Sequence, residues 1–319
     1  MRTFLDFEKP VADLEGQIQE LKRLERADGE AMSVADEIAT LEQKARDALA
    51  NIYAKLSPWQ KTQVARHPDR PHSKHYIAKL IEDFTPLAGD RKFGDDKAII
   101  GGLGRFRGEP VAVLAQEKGE DTQTRLQHNF GMARPEGYRK AVRIMELAER
   151  FGLPLLSLID TAGAYPGVGA EERGQAEAIA RSTEACLKLG TPSVSVIIGE
   201  GGSGGAIAIA TTNRVYMLEH AIYSVISPEG AASILWRDPA RAQDAATAMK
   251  ITASDLLALK IIDGIVEEPL GGAHRDASEV IDRAGSVIAT ALSELQRLPR
   301  QDVIRLRREK FLAIGRSIQ

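Results

Sequence analysis

The chain has 319 residues, 43% hydrophobic and 27% charged, a balance that suits one large globular α/β domain with a helical appendage. Its net charge of −3 argues against a dedicated nucleic-acid-binding domain, and its single cysteine, Cys186, excludes an internal disulfide or a cysteine-built metal site. Acidic residues come too early in the opening decapeptide for a signal peptide and no apolar run could span a bilayer, so a reducing cytoplasm is the expected compartment.

Val11, Leu14, Ile18 and Leu21, then Val34, Ile38, Leu41, Ala45, Leu49 and Ile52, fall at helical three-four spacing, with Asp28-Gly29 breaking the two runs apart. This predicts an antiparallel helical hairpin whose stripe packs on the parent domain or on a partner chain. The stretch from Ala65 to His75 is basic and broken by prolines. His67, His72 and His75 suggest a metal, but the prolines prevent a regular presenting helix and no acidic or cysteine ligand accompanies them. A solvated or partner-facing loop is expected there.

Ala98–Phe106 and Pro110–Ala115, separated by Arg107-Gly108-Glu109, read as a hairpin that begins a sheet. An amphipathic helix follows over Arg139–Arg150, then a buried strand over Leu155–Ile159. A glycine turn comes next, Asp160-Thr-Ala-Gly-Ala-Tyr-Pro-Gly-Val-Gly169. One helix is predicted from Ala170 to Leu189, opening on Glu171 and Glu172 and stopping at Gly190-Thr-Pro192.

Ser193–Ala210 repeats the pattern more sharply: a β-branched strand, then Gly199-Glu-Gly-Gly-Ser-Gly-Gly205, then a helix of small side chains. The first N–H groups of a helix lack intrahelical partners, and beside Gly204 and Gly205 no side chain blocks a ligand oxygen, so the stretch reads as a backbone anion hole. Other chemistries share these letters. Gly199-x-Gly201-x-x-Gly204 fits the dinucleotide fingerprint, but the following helix has only about two turns, too few for a Rossmann crossover. Gly201-x-Ser203-x-Gly205 spells a nucleophile elbow, with Asp263 and His274 as the available acid and base, though their surroundings show no sign of pairing. A P-loop fails because Ala206-Ile207 stand where Lys and Ser/Thr are required. A tight structural turn with no ligand stays open. Two successive strand, glycine-turn and helix units argue for a parallel α/β core with both turns facing one cleft.

Beyond the core, Arg214–Leu218 and Ala221–Val225 are short strands, and Ser227-Pro228-Glu229 starts a helix that reaches Trp236. Helices are expected over Arg241–Met249 and Ser254–Leu259, a turn and strand over Ile262–Glu267, and one amphipathic helix over Ala277–Phe311. The basic run Arg305–Lys310 is expected to be a solvated face.

With both glycine turns in hand, the chain resembles the alpha subunits of bacterial acetyl-coenzyme A carboxylase carboxyltransferase over nearly its whole length. Ala65–Pro71, Gly89–Arg91, Asp96–Ala98, Asn129–Ala141, Ile159–Gly174, Ile198–Ala206, Tyr223–Trp236 and Glu268–Arg275 carry the resemblance. It implies a crotonase-type α/β fold, a superhelix of repeated strand-strand-helix units. A helical hairpin and linker would occupy 1–64, and the carboxyltransferase domain with C-terminal helices 65–319. Spacing alone would not have chosen this fold over an open doubly wound sheet.

The resemblance further implies transfer of a carboxyl group from carboxybiotin, presented by a carrier protein, to acetyl-CoA, giving malonyl-CoA for fatty-acid synthesis. Charge develops on the biotin ureido oxygen as CO2 departs, and pre-aimed N–H donors suit that need better than an acid-base pair. Gly204 and Gly205 would hold that oxygen, with Thr161, Ala162, Gly163, Ala164, Tyr165, Pro166 and Gly167 as one wall and Gly201, Gly202 and Ser203 completing the turn. The thioester hole, much of the CoA site and a four-cysteine zinc site would belong to a beta subunit, leaving this chain without a metal. The expected assembly is two alpha with two beta, beside biotin carboxylase and the carrier. The family commonly has Pro where this chain has Ala162 and an acidic residue where it has His75. A serine acyl hydrolase using Ser203, or a non-catalytic binding protein of the same fold, are the alternatives.

Overall fold

The computed structural model describes residues 3–28 and 31–316. Gly29 of the expected break and the final three residues lie outside that set. Helices α1 (Lys9–Asp28) and α2 (Ala31–Tyr53) form the N-terminal pair. Their stripes meet each other: Ile18, Ile38 and Ala45 are buried together against Leu14, Leu21, Val34 and Leu41. At the root, Val11, Leu49 and Tyr53 close on Val64 of α3 (Pro58–Ala65).

The segment after α3 departs from expectation. His67, Arg70, His72 and Ser73 are buried, and a helix, α4 (Ser73–Leu80), starts directly after the second proline. Pro68 and Pro71 therefore precede this helix instead of breaking one. Arg70 explains the burial. Its guanidinium donates to both Glu268 carboxylate oxygens at 2.7 and 2.8 Å and to the Ile198 carbonyl at 2.9 Å, and such a paired, hydrogen-bonded charge can sit inside a protein.

Strand β1 (Ile81–Pro86) precedes the anticipated hairpin of β2 (Ile99–Phe106) and β3 (Glu109–Gln116), so the sheet begins one strand earlier than the sequence suggests. After α5 (Thr122–Gln127) comes α6 (Pro135–Phe151), which Gly152 ends in the left-handed region at φ +66°. The strands β4 (Leu155–Thr161) and β5 (Ser193–Gly202) are buried along their whole length, as parallel strands covered on both faces must be. Between them the single helix expected over 170–189 is two, α7 (Val168–Glu171) and α8 (Gln175–Lys188), because Gly174 turns the backbone left-handed at φ +80°.

α9 (Ser203–Ala210) follows β5, then β6 (Arg214–Leu218), β7 (Ile222–Ser224), α10 (Pro228–Trp236), α11 (Ala242–Ala248), α12 (Ala253–Ala258) and β8 (Gly264–Val266). Ser227 caps α10 through the Gly230 amide at 3.1 Å, with Pro228 at its first position. The C-terminal stretch is not one helix: α13 (Ala277–Leu295) and α14 (Arg300–Ala313) meet at Pro299, which cannot continue a helix. Nor is its basic run wholly solvated. Arg307 is fully buried, donating to the carbonyls of Cys186 and Thr191 at 3.0 Å and to Asn213, and Lys310 pairs with Asp263.

The main sheet runs β1-β2-β3-β4-β5-β6-β8, sequence order throughout, with β3 onward parallel. Such an order has no switch point of the kind that defines a doubly wound sheet. Instead β5 divides its edge: Val194–Ile197 pair with β6 while Glu200–Gly202 pair with β7. The chain thus advances in one direction and, at β5, peels off a second short strand, in keeping with the spiral of a crotonase-type fold.

Candidate active site

In β4 and β5, Leu155–Ile159 lie opposite Ser193–Ile197 and Thr161 opposite Gly201, so both glycine turns leave the same ends of adjacent strands. The turns interlock. A Cβ on Gly205 would stand 2.7 Å from the Gly163 carbonyl carbon and 2.9 Å from the Ala164 nitrogen, and one on Gly202 would strike the Ala162 carbonyl oxygen. These neighbours are backbone, with no side chain to swing aside, so both positions require glycine. Gly204 is freer, with an Ile179 methyl 3.3 Å from its hypothetical Cβ.

Local bonds shape the first turn. The Thr161 hydroxyl donates to the Gly163 carbonyl at 2.8 Å and accepts from the Gly163 amide at 3.1 Å. Gln175 Nε2 donates to the carbonyls of Tyr165 and Ala133 at 3.0 and 2.9 Å, and the Arg134 guanidinium lies 4.6 Å over the Tyr165 ring. In the second turn, Gln116 Nε2 donates to the Gly205 carbonyl at 2.7 Å. Ser203 sits at φ +53°, a conformation that costs a non-glycine residue about 1–3 kcal/mol.

α9 begins at this point on Ser203, Gly204 and Gly205, and its cap residue, Gly202, has no side chain to satisfy the opening amides. Those N–H groups carry the positive end of the helix. The arrangement can neutralise an oxyanion without any side-chain acid.

Of the residues singled out by sequence, Thr161, Gly163, Gly201, Gly202 and Gly205 are buried, Ala164, Tyr165, Gly167, Ser203 and Gly204 are half-buried, and Ala162 and Pro166 are exposed. Only Ala162 among them also lines a cleft of about 410 Å³ beside the turns, whose other walls include Arg66, His72, Lys118, Phe130, Asp160 and Glu200.

Sequence reasoning missed the charged cluster of that cleft. The Lys118 ammonium donates to Asp160 Oδ1 at 2.8 Å and Glu200 Oε2 at 2.7 Å, while Arg66 grips Glu200 from the other side at 2.7 Å and Glu229 of α10 at 2.6 Å. Burial opposes charge on all three central groups. The opposite charges outweigh it, holding both carboxyls below their ordinary range and Lys118 above its own. An acidic residue at the head of each glycine turn was the available signal.

The nucleophile-elbow reading does not assemble. Asp263 accepts from the Val215 amide at 2.7 Å and pairs with Lys310. His274 stacks on His67 with ring centroids 3.7 Å apart, neither of its ring nitrogens has a hydrogen-bond partner, and burial pushes its pKa down to about 3. Among the described residues no group of three His, Cys, Asp or Glu could hold a metal, and no helix is long and apolar enough to cross a membrane.

Residues 4–315 match the family described as acetyl co-enzyme A carboxylase carboxyltransferase-like. Acetyl-coenzyme A carboxylase carboxyl transferase subunit alpha of Xanthobacter autotrophicus is 69% identical over 318 residues, and that of Brucella abortus 66%, each covering all of both chains. Among solved structures, transcarboxylase 12S with methylmalonyl-coenzyme A and methylmalonic acid bound superposes with a TM-score of 0.59 at 20% identity, over 72% of this chain and 42% of that one. This chain therefore corresponds to less than half of that protein's length. A Pseudomonas malonate decarboxylase hetero-tetramer in complex with coenzyme A superposes with a TM-score of 0.57 at 18% identity, over 71% and 92%. With two interlocked glycine turns on a one-directional sheet and full-length identity to those subunits, the chain belongs to the acetyl-CoA carboxylase carboxyltransferase alpha-subunit family.

Proposed function

We propose that this chain is the biotin-side half of a carboxyltransferase site, moving a carboxyl group from carboxybiotin to acetyl-CoA to form malonyl-CoA for fatty-acid synthesis. The observation that carries this reading is the uncapped start of α9 wedged against the first turn. There Gly202 offers no side-chain cap to the opening amides, and a Cβ on Gly205 would strike the Gly163–Ala164 backbone; the Gly204 and Gly205 N–H groups would serve the oxygen ligand. Carboxybiotin would supply the activated carboxyl group, and its ureido carbonyl is a planar acceptor suited to two convergent N–H donors. Thr161, Gly163, Ala164, Tyr165, Pro166 and Gly167, with Ala162 at the rim, would form the facing wall; Gly201, Gly202 and Ser203 set the angle at which α9 begins. Because the donors are fixed by packing, they need no reorganisation as charge builds.

The second oxyanion hole, much of the CoA site and the zinc would come from a beta subunit in an assembly of two alpha and two beta chains, served in the cytoplasm by a biotin carrier and biotin carboxylase. Residues 1–64 would act as a helical module set on a catalytic unit of 65–319. That boundary would fall in α3, where Val64 packs on the helical pair and Ala65 on Ile222, Ala246 and Ile251.

The test is carboxyl transfer from carboxylated carrier to acetyl-CoA by the alpha chain reconstituted with its beta partner. Gly205→Val should abolish malonyl-CoA formation. Wild-type rates in that variant would remove the amides from the reaction. Ser203→Ala should retain activity, and a large loss would favour the hydrolase alternative.

A further inference from the structure

The Lys118 cluster holds the ends of two strands that both lead into the site. Asp160 is the penultimate residue of β4 and heads the first glycine turn; Glu200 lies near the end of β5 and heads the second. One ammonium contacts both carboxylates, at 2.8 and 2.7 Å, and the Glu200 amide donates to Asp160 Oδ1 at 3.0 Å. Neither carboxylate has slack. A Cβ on Gly199 would stand 2.5 Å from Asp160 Oδ1, and Arg66 holds Glu200 from behind.

The lysine stem is clamped as well. A Cβ on Gly131 would fall 2.8 Å from Lys118 Cγ, in a turn where Asn129, Phe130 and Gly131 are successively left-handed at φ +47°, +55° and +79°. Another buried ion pair, Arg70 with Glu268, differs in kind. Its carboxylate also accepts from the His220 and Ala273 amides, away from the turns.

We propose that Lys118 is a positioning residue for carboxyl transfer: by pinning Asp160 to Glu200 it sets the spacing of the two glycine turns, and so the aim of the amides that open α9. This rests on the carboxyl-transfer reading above. A small error of aim at such donors is expensive, since misplacement by about 1 Å can cost on the order of 100-fold in rate.

Lys118→Met leaves two carboxylates facing each other. The remaining charged or titratable neighbours include Arg66 on the far oxygen of Glu200, Glu229 beyond it, the Arg70–Glu268 pair, Tyr76 near Asp160, Arg125 on the cleft wall, and His72, whose Nδ1 lies 3.8 Å from Asp160 Oδ2. A proton shared by the two carboxylates would then replace the missing cation.

In the reconstituted complex, Lys118→Met should lower kcat about tenfold or more near pH 8 with the KM for acetyl-CoA little changed. The deficit should shrink at least about threefold on acidification to about pH 6, and Lys118→Arg should recover most of the rate. An unchanged kcat, a loss confined to KM, or a pH-independent loss shared equally by the Arg variant overturns the proposal. If Lys118→Met does not fold, a variant at Glu200 decides. Glu200→Leu offers Lys118 no acceptor while the Lys118–Asp160 contact persists, and should lower kcat about fivefold at constant KM; a wild-type kcat overturns the proposal. Gly205→Val assayed beside these variants separates the two ideas: full activity there defeats the amide hole itself, whereas its loss with no effect at Lys118 or Glu200 defeats only the brace.

Discussion

The two glycine turns leave neighbouring strands at the same height, yet they are built differently. The first carries exposed side chains, Ala162, Pro166 and Val168, and is shaped by local hydrogen bonds from Thr161 and Gln175. The second is largely buried, with Gly202 and Gly205 jammed against the first turn's main chain. One turn is thus a rim and the other a fixed floor. Glycine in the floor is required by space as well as by any ligand, so composition alone cannot say which requirement dominates.

Substitutions can separate the two requirements. The largest effect is expected beneath the floor. Arg70→Met frees the Ile198 carbonyl, which leads into the second turn, and strands Glu268, so it should cost about 3–5 kcal/mol of stability in chemical denaturation. Arg70 outweighs the burial penalty and holds Glu268 at about 2, below the ordinary carboxylate pKa. A carboxyl depressed in the folded state stabilises fully above its unfolded pKa and loses that contribution as pH falls. The pair's stabilisation should therefore be complete above about pH 5 and drain toward pH 2. In Arg70→Met the trend should reverse, with stability partly recovered as acid neutralises the stranded carboxylate.

Next comes Gly205→Val, expected to raise the barrier to carboxyl transfer by about 3 kcal/mol or more. Gly202→Ala should destabilise by about 1–3 kcal/mol, since the Ala162 carbonyl must move, whereas Gly204→Ala should leave the melting temperature nearly unchanged. Equal losses at Gly202 and Gly204 would break the distinction between a jammed and an open position. Ser203→Gly should stabilise by about 1 kcal/mol by relieving its left-handed backbone. On the rim, Pro166→Ala should shift stability by no more than about 0.5 kcal/mol.

Sequence made the rim and floor legible because strand, glycine turn and helix are local patterns: β4, β5, α9 and the α10 cap stand where hydrophobic runs, glycines and Ser227-Pro228 put them. What could not be read depends on distant partners. Ala65–His75 looks like a solvated basic loop until Glu268, almost 200 residues later, takes up Arg70. Lys118 carries no local signature, since its partners lie at the ends of two other strands. The breaks at Gly174 and Pro299 were visible as letters, but helical periodicity runs across both and concealed them. The order of strands, and with it the choice between a spiral and a doubly wound sheet, required the pairing itself.

Arg307 has a bearing on how the fold is closed. Its guanidinium serves the carbonyls of Cys186 at the end of α8 and of Thr191 in the loop leading into β5, and shares Asn213 Oδ1 with the Ser193 amide and hydroxyl, so α14 seals that loop from outside. The central sheet therefore gains this polar closure only when α14 docks. A variant lacking that guanidinium would keep every described strand and both bends yet leave the seam unsealed, a natural target for proteolysis.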